Sequence, residues 1–431
     1  MMTRSQMIRP WPTVFGLCLL FALSFVDRLL LALLAQPVAD ELALSDAQLG
    51  LLIGLGFAVV YSLAGIPLAH LIDTRRRMPI IFAGVTVWSL STIAAGFASN
   101  FTELLLCRIG LAVGEAVLTP AAISIIGDLF PREKRTSPMS LYASISGVMG
   151  TGGFIVGGLA LNLGEQLSPM VGLSPWRLTF IILGLPTLLV GLLFWLTINE
   201  PPRKGAGEEH VTIKAAAQYL GRTSLFYLPM MIGSAILACF VYGMSAWVPT
   251  ILIRSYGLET ATAGFVYGAV GVPAGLLGCI FWPFLATRLS RRRPSHGISQ
   301  ALVLLAACAT PMMIAAPLMP NGTLFLTVMF LVIFCGSGLS VLPPLAIQAF
   351  SPARTRARLA SLQLLGLNLI GLALGPLAIV WLGTLWPQSS VPISSGLATL
   401  GLITGPLAVI CFSLSLLGLS QVKSAETSQV D

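Results

Sequence analysis

Long apolar runs recur along the whole chain, and they limit the folds that are open to it. An apolar run of about 20 residues forms a helix that can cross the roughly 30 Å hydrocarbon core of a bilayer. Only 9% of the 431 residues are charged, whereas a typical soluble domain has about 25%. The runs predict an all-α membrane protein with twelve transmembrane helices, over residues 11–36, 48–72, 78–98, 101–127, 137–162, 176–197, 223–253, 260–287, 297–318, 322–350, 359–386 and 393–420.

The basic residues fall on alternate connections between these spans. Of the 24 Lys and Arg residues, 20 lie in the tails or after even-numbered spans. The exceptions are Arg28, Arg108, Arg177 and Arg254. Cytoplasmic loops carry an excess of Lys and Arg. We therefore expect a multi-pass protein of the plasma (inner) membrane with both termini in the cytoplasm. The net charge of +8 comes from short loops and not from a basic face with interleaved aromatic residues, which argues against nucleic-acid binding.

The longest polar interruption, residues 199–222, separates two sets of six predicted spans. Its Pro-Pro pair and its glycines are typical of a linker. The basic cluster Arg75–Arg77 after span 2 is echoed by Arg291–Arg293 after span 8. We therefore predict an N-terminal six-helix bundle at 1–198, a cytoplasmic linker at 199–222, and a C-terminal six-helix bundle with its tail at 223–431.

The loop between spans 2 and 3 has a distinctive sequence. A small residue, Ala69, is followed four positions later by Asp73 and then by the basic cluster of Arg75, Arg76 and Arg77. Together with the two six-span halves, this loop resembles the major facilitator superfamily, in which two pseudo-symmetric six-helix bundles enclose a substrate site. The resemblance implies that Asp73 and the three arginines form a gating loop. The alternative is that the arginines serve only as determinants of topology.

The sequence of span 4 indicates a resemblance to one family within this superfamily. It reads RIGLAVGEA from Arg108 to Ala116, continues as TPAA from Thr119, and ends in DLFP from Asp128. With the Asp27-Arg28 pair in span 1, these segments resemble the Spinster family, whose members are associated with sphingolipid and lysolipid transport. The resemblance implies a lipid-like or amphipathic substrate.

Four ionisable residues lie inside the predicted spans of the first half: Asp27, Arg28, Arg108 and Glu115. An ionisable side chain in hydrocarbon costs roughly 2.5–3.5 kcal/mol on insertion scales, so it usually marks an ion or substrate path. Arg108 and Glu115 are separated by close to two helical turns and therefore project from one face. No acid or base lies within predicted spans 7 to 12, so any ion coupling is expected in the first half.

These four residues can be given roles. Glu115, nearest the midplane, and Asp27 are the predicted sites of proton binding or coupling. Arg28 and Arg108 are either their charge partners or the groups that hold an anionic substrate, because guanidinium suits phosphate and carboxylate. The structural alternative is a salt-bridge network that only fixes spans 1 and 4 together, although buried pairs often fail to offset their desolvation.

The sequence therefore predicts a secondary active transporter, proton-coupled or proton-gated, that moves an amphipathic or organic anionic solute, such as a lysolipid or sphingolipid, by alternating access. The alternative is an uncoupled facilitator, or a drug or organic-anion transporter, whose buried charges are structural. An enzyme is not expected, because the chain has no Walker sequence and no catalytic triad among its three histidines. No cofactor and no metal are expected, since the seven cysteines lie singly in apolar runs. The expected partners are the solute, protons and the lipid bilayer, and we expect a monomer.

Overall fold

The computed structural model describes residues 10–203, 213–291, 296–352 and 355–421. In these residues, twelve helices are long and apolar enough to cross a membrane, which confirms the predicted number of spans and the all-α class. We name them in chain order: α1 Pro10–Leu33, α2 Asp46–Thr74, α3 Arg77–Ala95, α4 Phe101–Leu129, α5 Thr136–Val171, α6 Pro175–Thr197, α7 Ser224–Tyr256, α8 Thr260–Ser290, α9 Gly297–Leu318, α10 Gly322–Phe350, α11 Arg358–Gly383 and α12 Pro392–Gln421.

The chain divides into two compact units. Unit 1 comprises Met1–Ala206 and Gly257–Ala269, and unit 2 comprises Gly207–Tyr256 and Val270–Asp431. The first turns of α8 belong to unit 1 because they pack against α5: a Cβ added at Gly268 would lie 2.9 Å from the Thr151 carbonyl oxygen. The bundle limits expected at 1–198 and 223–431 stay predictions. Residues 204–212 of the predicted linker lie outside the described residues.

The fifth helix continues beyond the apolar run from which the sequence predicted its span. The apolar run ends near residue 162, whereas α5 continues to Val171. The added turns contain the polar residues Glu165 and Gln166, so the hydropathy signal ends while the helix continues. The helix stops at Gly172, whose φ of 74° is left-handed and whose N–H donates to the Ser168 carbonyl oxygen at 2.8 Å. A glycine in this conformation is a common helix terminator.

Small residues bring α3 and α4 into close contact. A Cβ added at Gly114 would lie 2.5 Å from the carbonyl oxygen of Gly84 and 2.7 Å from the backbone nitrogen of Trp88. A Cβ at Gly110 would lie 2.3 Å from the Ser91 hydroxyl oxygen. Such small-residue contacts are how helices pack in a bilayer, where no hydrophobic force drives them together. This contact fixes the position of α4 at Gly114, the residue that precedes Glu115.

Two irregular segments lie in the spans of unit 1 that carry or border the ionisable residues. In α4 the helix ends at Glu115 and resumes at Leu118, and Pro120 cannot donate a hydrogen bond to the carbonyl four residues before it. In α2 the residues Leu51–Leu55 form a π-helical turn. Irregular backbone at membrane depth is tolerated where it is buried in protein or lines a cavity. Both segments are therefore candidates for function.

Candidate functional site

The structure brings Arg28 of α1 and Glu115 of α4 into direct contact. Nη2 of Arg28 donates to Oε2 of Glu115 at 2.7 Å. The Glu115 side chain is 1% exposed and that of Arg28 is 19% exposed. A charge-assisted hydrogen bond of this length is among the stronger polar contacts in proteins. It joins α1 to the end of the first helical segment of α4.

Arg108 has a different set of partners. The seven-residue spacing suggested that it would accompany Glu115, but Arg28 forms the ion pair instead. Nε of Arg108 donates to the Leu52 carbonyl oxygen at 3.2 Å, and its Nη2 donates to the Arg28 carbonyl oxygen at 3.4 Å. Arg108 is buried and still close enough to act on Glu115 electrostatically. Its guanidinium therefore ties α4 to the backbones of α1 and α2.

Asp27 is the most isolated member of the group. Its carboxylate is buried, and neither oxygen forms a hydrogen bond with any residue that the structure describes. The Trp88 indole N–H, also buried without an acceptor, interacts with it without reaching hydrogen-bond geometry. Asp27 thus makes no direct bond to Arg28, although the two are chain neighbours. An ionised carboxylate buried without a partner costs several kcal/mol, so Asp27 also stays a candidate for proton binding.

Aromatic rings surround the Arg28 guanidinium. Its Cζ lies 5.0 Å from the ring centroid of Phe25, 4.8 Å from that of Phe57 and 5.1 Å from that of Tyr61. Phe57 also lies 5.3 Å from the Cζ of Arg108. Sequence reasoning missed these rings, because an aromatic residue inside an apolar run does not stand out. The four-residue spacing of Phe57 and Tyr61, which puts both on one face of α2, was the available signal.

The predicted gating loop contains one arginine that differs from the other two. Arg77 is fully buried and is hydrogen-bonded to Asp128 of α4. It also donates to the Ser124 hydroxyl oxygen at 3.0 Å and to the Pro201 carbonyl oxygen at 2.7 Å, and its backbone N–H donates to Glu200 at 2.7 Å. Arg77 therefore joins α3, α4 and the segment after α6 within unit 1.

The remaining residues of that loop lie at the surface. Asp73 and Arg75 are exposed, and the Arg76 side chain is 82% exposed with its Nε 3.7 Å from Glu200. Asp73 makes no hydrogen bond or ion pair within the described part of the chain. The sequence treated the three arginines as equivalent, whereas the structure separates a buried one from two exposed ones. Whether Asp73 takes part in gating stays a prediction.

Comparison with known proteins decides the family. The sequence profile described as the Major Facilitator Superfamily matches residues 17–376. The chain belongs to this superfamily. The protein is therefore a transporter of organic solutes and not an enzyme. It is an integral multi-pass membrane protein.

Individual relatives agree with this assignment. An MFS-type efflux pump of Mycolicibacterium smegmatis is 28% identical over 83% of this chain and 80% of its own length. A probable L-galactonate transporter of Escherichia coli is 27% identical, and the match covers 62% of each protein. The crystal structure of a bacterial homologue of the human lysosomal transporter Spinster is similar at a TM-score of 0.83 and 27% identity, covering 96% of this chain and 98% of that one. This superfamily member therefore resembles Spinster proteins, as the span 4 sequence predicted.

Proposed function

We propose that the protein is a secondary active transporter, proton-coupled or proton-gated, that moves an amphipathic or organic anionic solute by alternating access. The observation that supports this most is the part-buried Arg28–Glu115 pair, at 2.7 Å, next to the Asp27 carboxylate, which forms no hydrogen bond in the described part of the chain. Buried ion pairs are poor stabilising devices, whereas ionisable residues inside spans commonly serve ion and substrate paths. The cluster is therefore better suited to changing its charge than to holding helices together.

The pair suggests how protons and solute are linked. A proton that binds the Glu115 carboxylate removes the negative charge that holds the Arg28 guanidinium. Arg28 keeps its own charge, and another anionic group can then take the place of the Glu115 carboxylate beside it. An anionic solute supplies one, because guanidinium binds carboxylate and phosphate oxygens in a planar fork. Protonation of Glu115 and binding of the anion at Arg28 would therefore favour each other.

The surroundings of Arg28 suggest the class of solute. Its guanidinium, which unlike that of Arg108 is partly exposed, is surrounded by three aromatic rings, those of Phe25, Phe57 and Tyr61. An anionic group with an adjoining apolar part, including a lysolipid- or sphingolipid-like molecule, would complement both features. One relative is a probable L-galactonate transporter, a name in keeping with an anionic solute, and the amphipathic solute is what the resemblance to the Spinster family implies.

A second candidate function has an observation of its own in its favour. The relative from Mycolicibacterium smegmatis is an efflux pump, and the four charges of the cluster sum to zero. An uncoupled facilitator or a drug or organic-anion transporter would use such a neutral cluster as structure only.

Proteoliposomes separate the two candidates. We expect that adding an anionic amphiphile, or a sugar acid, to one side changes the internal pH reported by a trapped dye. The change should stop when Glu115 is replaced by glutamine. Solute uptake without any pH change, at the same rate in the wild type and the variant, would instead establish the uncoupled function.

We also propose an orientation in the membrane. The excess of basic residues on one side, including Arg75 and Arg288, supports cytoplasmic termini in a plasma (inner) membrane, and we propose a monomer. A phosphatase reporter inserted within residues 204–212 is expected to be inactive, because it would stay in the cytoplasm. An active reporter at this position would reverse the orientation.

Asp73 gives a prediction on gating. If it holds the α2–α3 loop against the other half of the protein when the outer side is open, Asp73→Asn should shift the equilibrium towards inward-open states. Spin-label distances between units 1 and 2 on the cytoplasmic side should then lengthen. Glu133→Gln, which removes an exposed acid from the loop after α4 and outside the predicted gating loop, is the matched control for the loss of a negative charge. Distance distributions equal to those of the wild type in Asp73→Asn would remove Asp73 from the gate.

A further inference from the structure

The π-helical turn of α2 lies against the charge cluster. It covers Leu51–Leu55, and the carbonyl oxygen of Leu52 within it accepts a hydrogen bond from Nε of Arg108 at 3.2 Å. Turns of this kind are rare and loosen the regular ladder of helical hydrogen bonds, which leaves a carbonyl available to a side chain. Arg108 is thereby anchored to the backbone of α2 at its least regular point.

Phe57 lies two residues after this turn and contacts both arginines of the cluster. Its ring is fully buried, and its centroid lies 4.8 Å from the Cζ of Arg28 and 5.3 Å from that of Arg108. Tyr61, one turn further on, stacks on Phe57 with 5.4 Å between ring centroids. The negative face of an aromatic ring attracts cations, so one ring stabilises two guanidinium groups that would otherwise repel each other.

We infer that Phe57 is a positioning residue of the charge cluster: it holds Arg28 against Glu115 and links the cluster to the π-helical turn through Arg108. The inference rests on the proposed role of Glu115 as a proton site. When Glu115 is neutral, its attraction for Arg28 is weaker, and we expect the guanidinium of Arg28 to move relative to the Phe57 ring. The contact between the Phe57 ring and Arg108 then changes, and so does the hydrogen bond from Arg108 to the Leu52 carbonyl oxygen. Protonation at α4 is in this way transmitted to the backbone of α2.

The ionisable groups around Glu115 are few. Arg28 and Asp27 face it from α1, and Arg108 comes from its own span. Tyr61 of α2 lies against the Arg28 guanidinium, and the Tyr142 hydroxyl of α5 interacts with Arg28 electrostatically. The helix α3 contributes the uncharged Trp88 and has no ionisable residue other than Arg77 at its first position. A shift in the titration of Glu115 in a variant of Phe57 can therefore be traced to the arginines, because Asp27 is left unchanged and the ring contacts Arg28 and Arg108.

The test is the pH at which Glu115 binds its proton, measured in the full-length protein from the carboxylic-acid infrared band that Glu115→Gln lacks. Phe57→Leu keeps an apolar side chain but removes the ring face. Arg28 then spreads over more conformations and pairs less with Glu115, so the midpoint should rise by roughly 0.5–1 pH unit. Phe57→Tyr, which keeps a ring face, should restore the wild-type midpoint.

Two further variants complete the design. Tyr61→Leu should shift the midpoint in the same direction by less, because its ring lies near Arg28 alone of the two arginines, and it serves if Phe57→Leu does not fold. Phe412→Leu is the matched control, since Phe412 is fully buried and packs beside Gly233 in unit 2.

The outcomes are distinct. An unchanged midpoint in Phe57→Leu and Tyr61→Leu, or an equal shift in Phe412→Leu, overturns the inference, as does a Glu115 band that does not respond to pH. A band that titrates while the distances between units 1 and 2 ignore pH would refute the proposed function alone. In that case the same spectra would still decide the role of Phe57.

Discussion

Glu115→Gln is expected to remove most of the pH dependence of the conformational equilibrium. Glutamine has the shape of the protonated acid and cannot ionise, so Arg28 loses its anionic partner at every pH. In the wild type, a single titrating group would carry the transition from about 10% to about 90% completion over roughly 2 pH units. The variant should show the acidic distribution throughout. Spin-label distances between units 1 and 2, recorded across this range, measure the effect.

Asp27→Asn is the matched comparison for that experiment. It also converts a buried carboxylate to an amide, but at a side chain that forms no hydrogen bond in the described part of the chain. We expect a smaller change, with the transition retained and its midpoint displaced. A wild-type transition in Glu115→Gln together with its loss in Asp27→Asn would exchange the roles of the two acids.

Arg77→Ala is expected to destabilise the fold strongly. The variant would take the guanidinium away from Asp128, Glu200 and the Pro201 carbonyl oxygen at once. Removal of one partner from a buried charge pair typically costs roughly 3–5 kcal/mol of stability. Thermal unfolding in detergent, followed by size-exclusion chromatography, should therefore show a clearly lower midpoint.

Two variants test whether this effect comes from the buried guanidinium. Arg77→Lys keeps the charge but lacks the planar fork of donors, so its loss should be intermediate. Arg76→Ala removes a neighbouring arginine whose side chain is 82% exposed, and exposed ion pairs contribute only about 0–1 kcal/mol. Equal losses in Arg76→Ala and Arg77→Ala would mean that the buried network contributes no particular stability.

The fold could be predicted from the sequence because a bilayer permits few alternatives. Spanning segments need about 20 apolar residues, and that requirement is visible in a single sequence. The apolar run does not show the end of a helix that continues with polar residues, as α5 does before Gly172. Hydropathy also does not reveal local irregularity, because the π-helical turn LLIGL at Leu51–Leu55 has the composition of an ordinary α-helix.

The members of the charge cluster were identifiable, but their partners were not. Spacing along one helix places Arg108 and Glu115 on one face, yet the partner of Glu115 comes from α1. That choice depends on how the helices cross, which is fixed by contacts such as that of Gly114 with Gly84. Burial of Arg77 likewise depends on Glu200, 123 positions away along the chain.

The most direct test of the central claim follows the protonation of Glu115 and the conformational change in the same sample. The carboxylic-acid infrared band and the distance between units 1 and 2 are recorded together as pH is lowered. If protonation of Glu115 governs the equilibrium, both signals will have the same midpoint in the wild type and both will be lost in Glu115→Gln. Midpoints that differ clearly, or a distance change that persists in Glu115→Gln, would contradict this account.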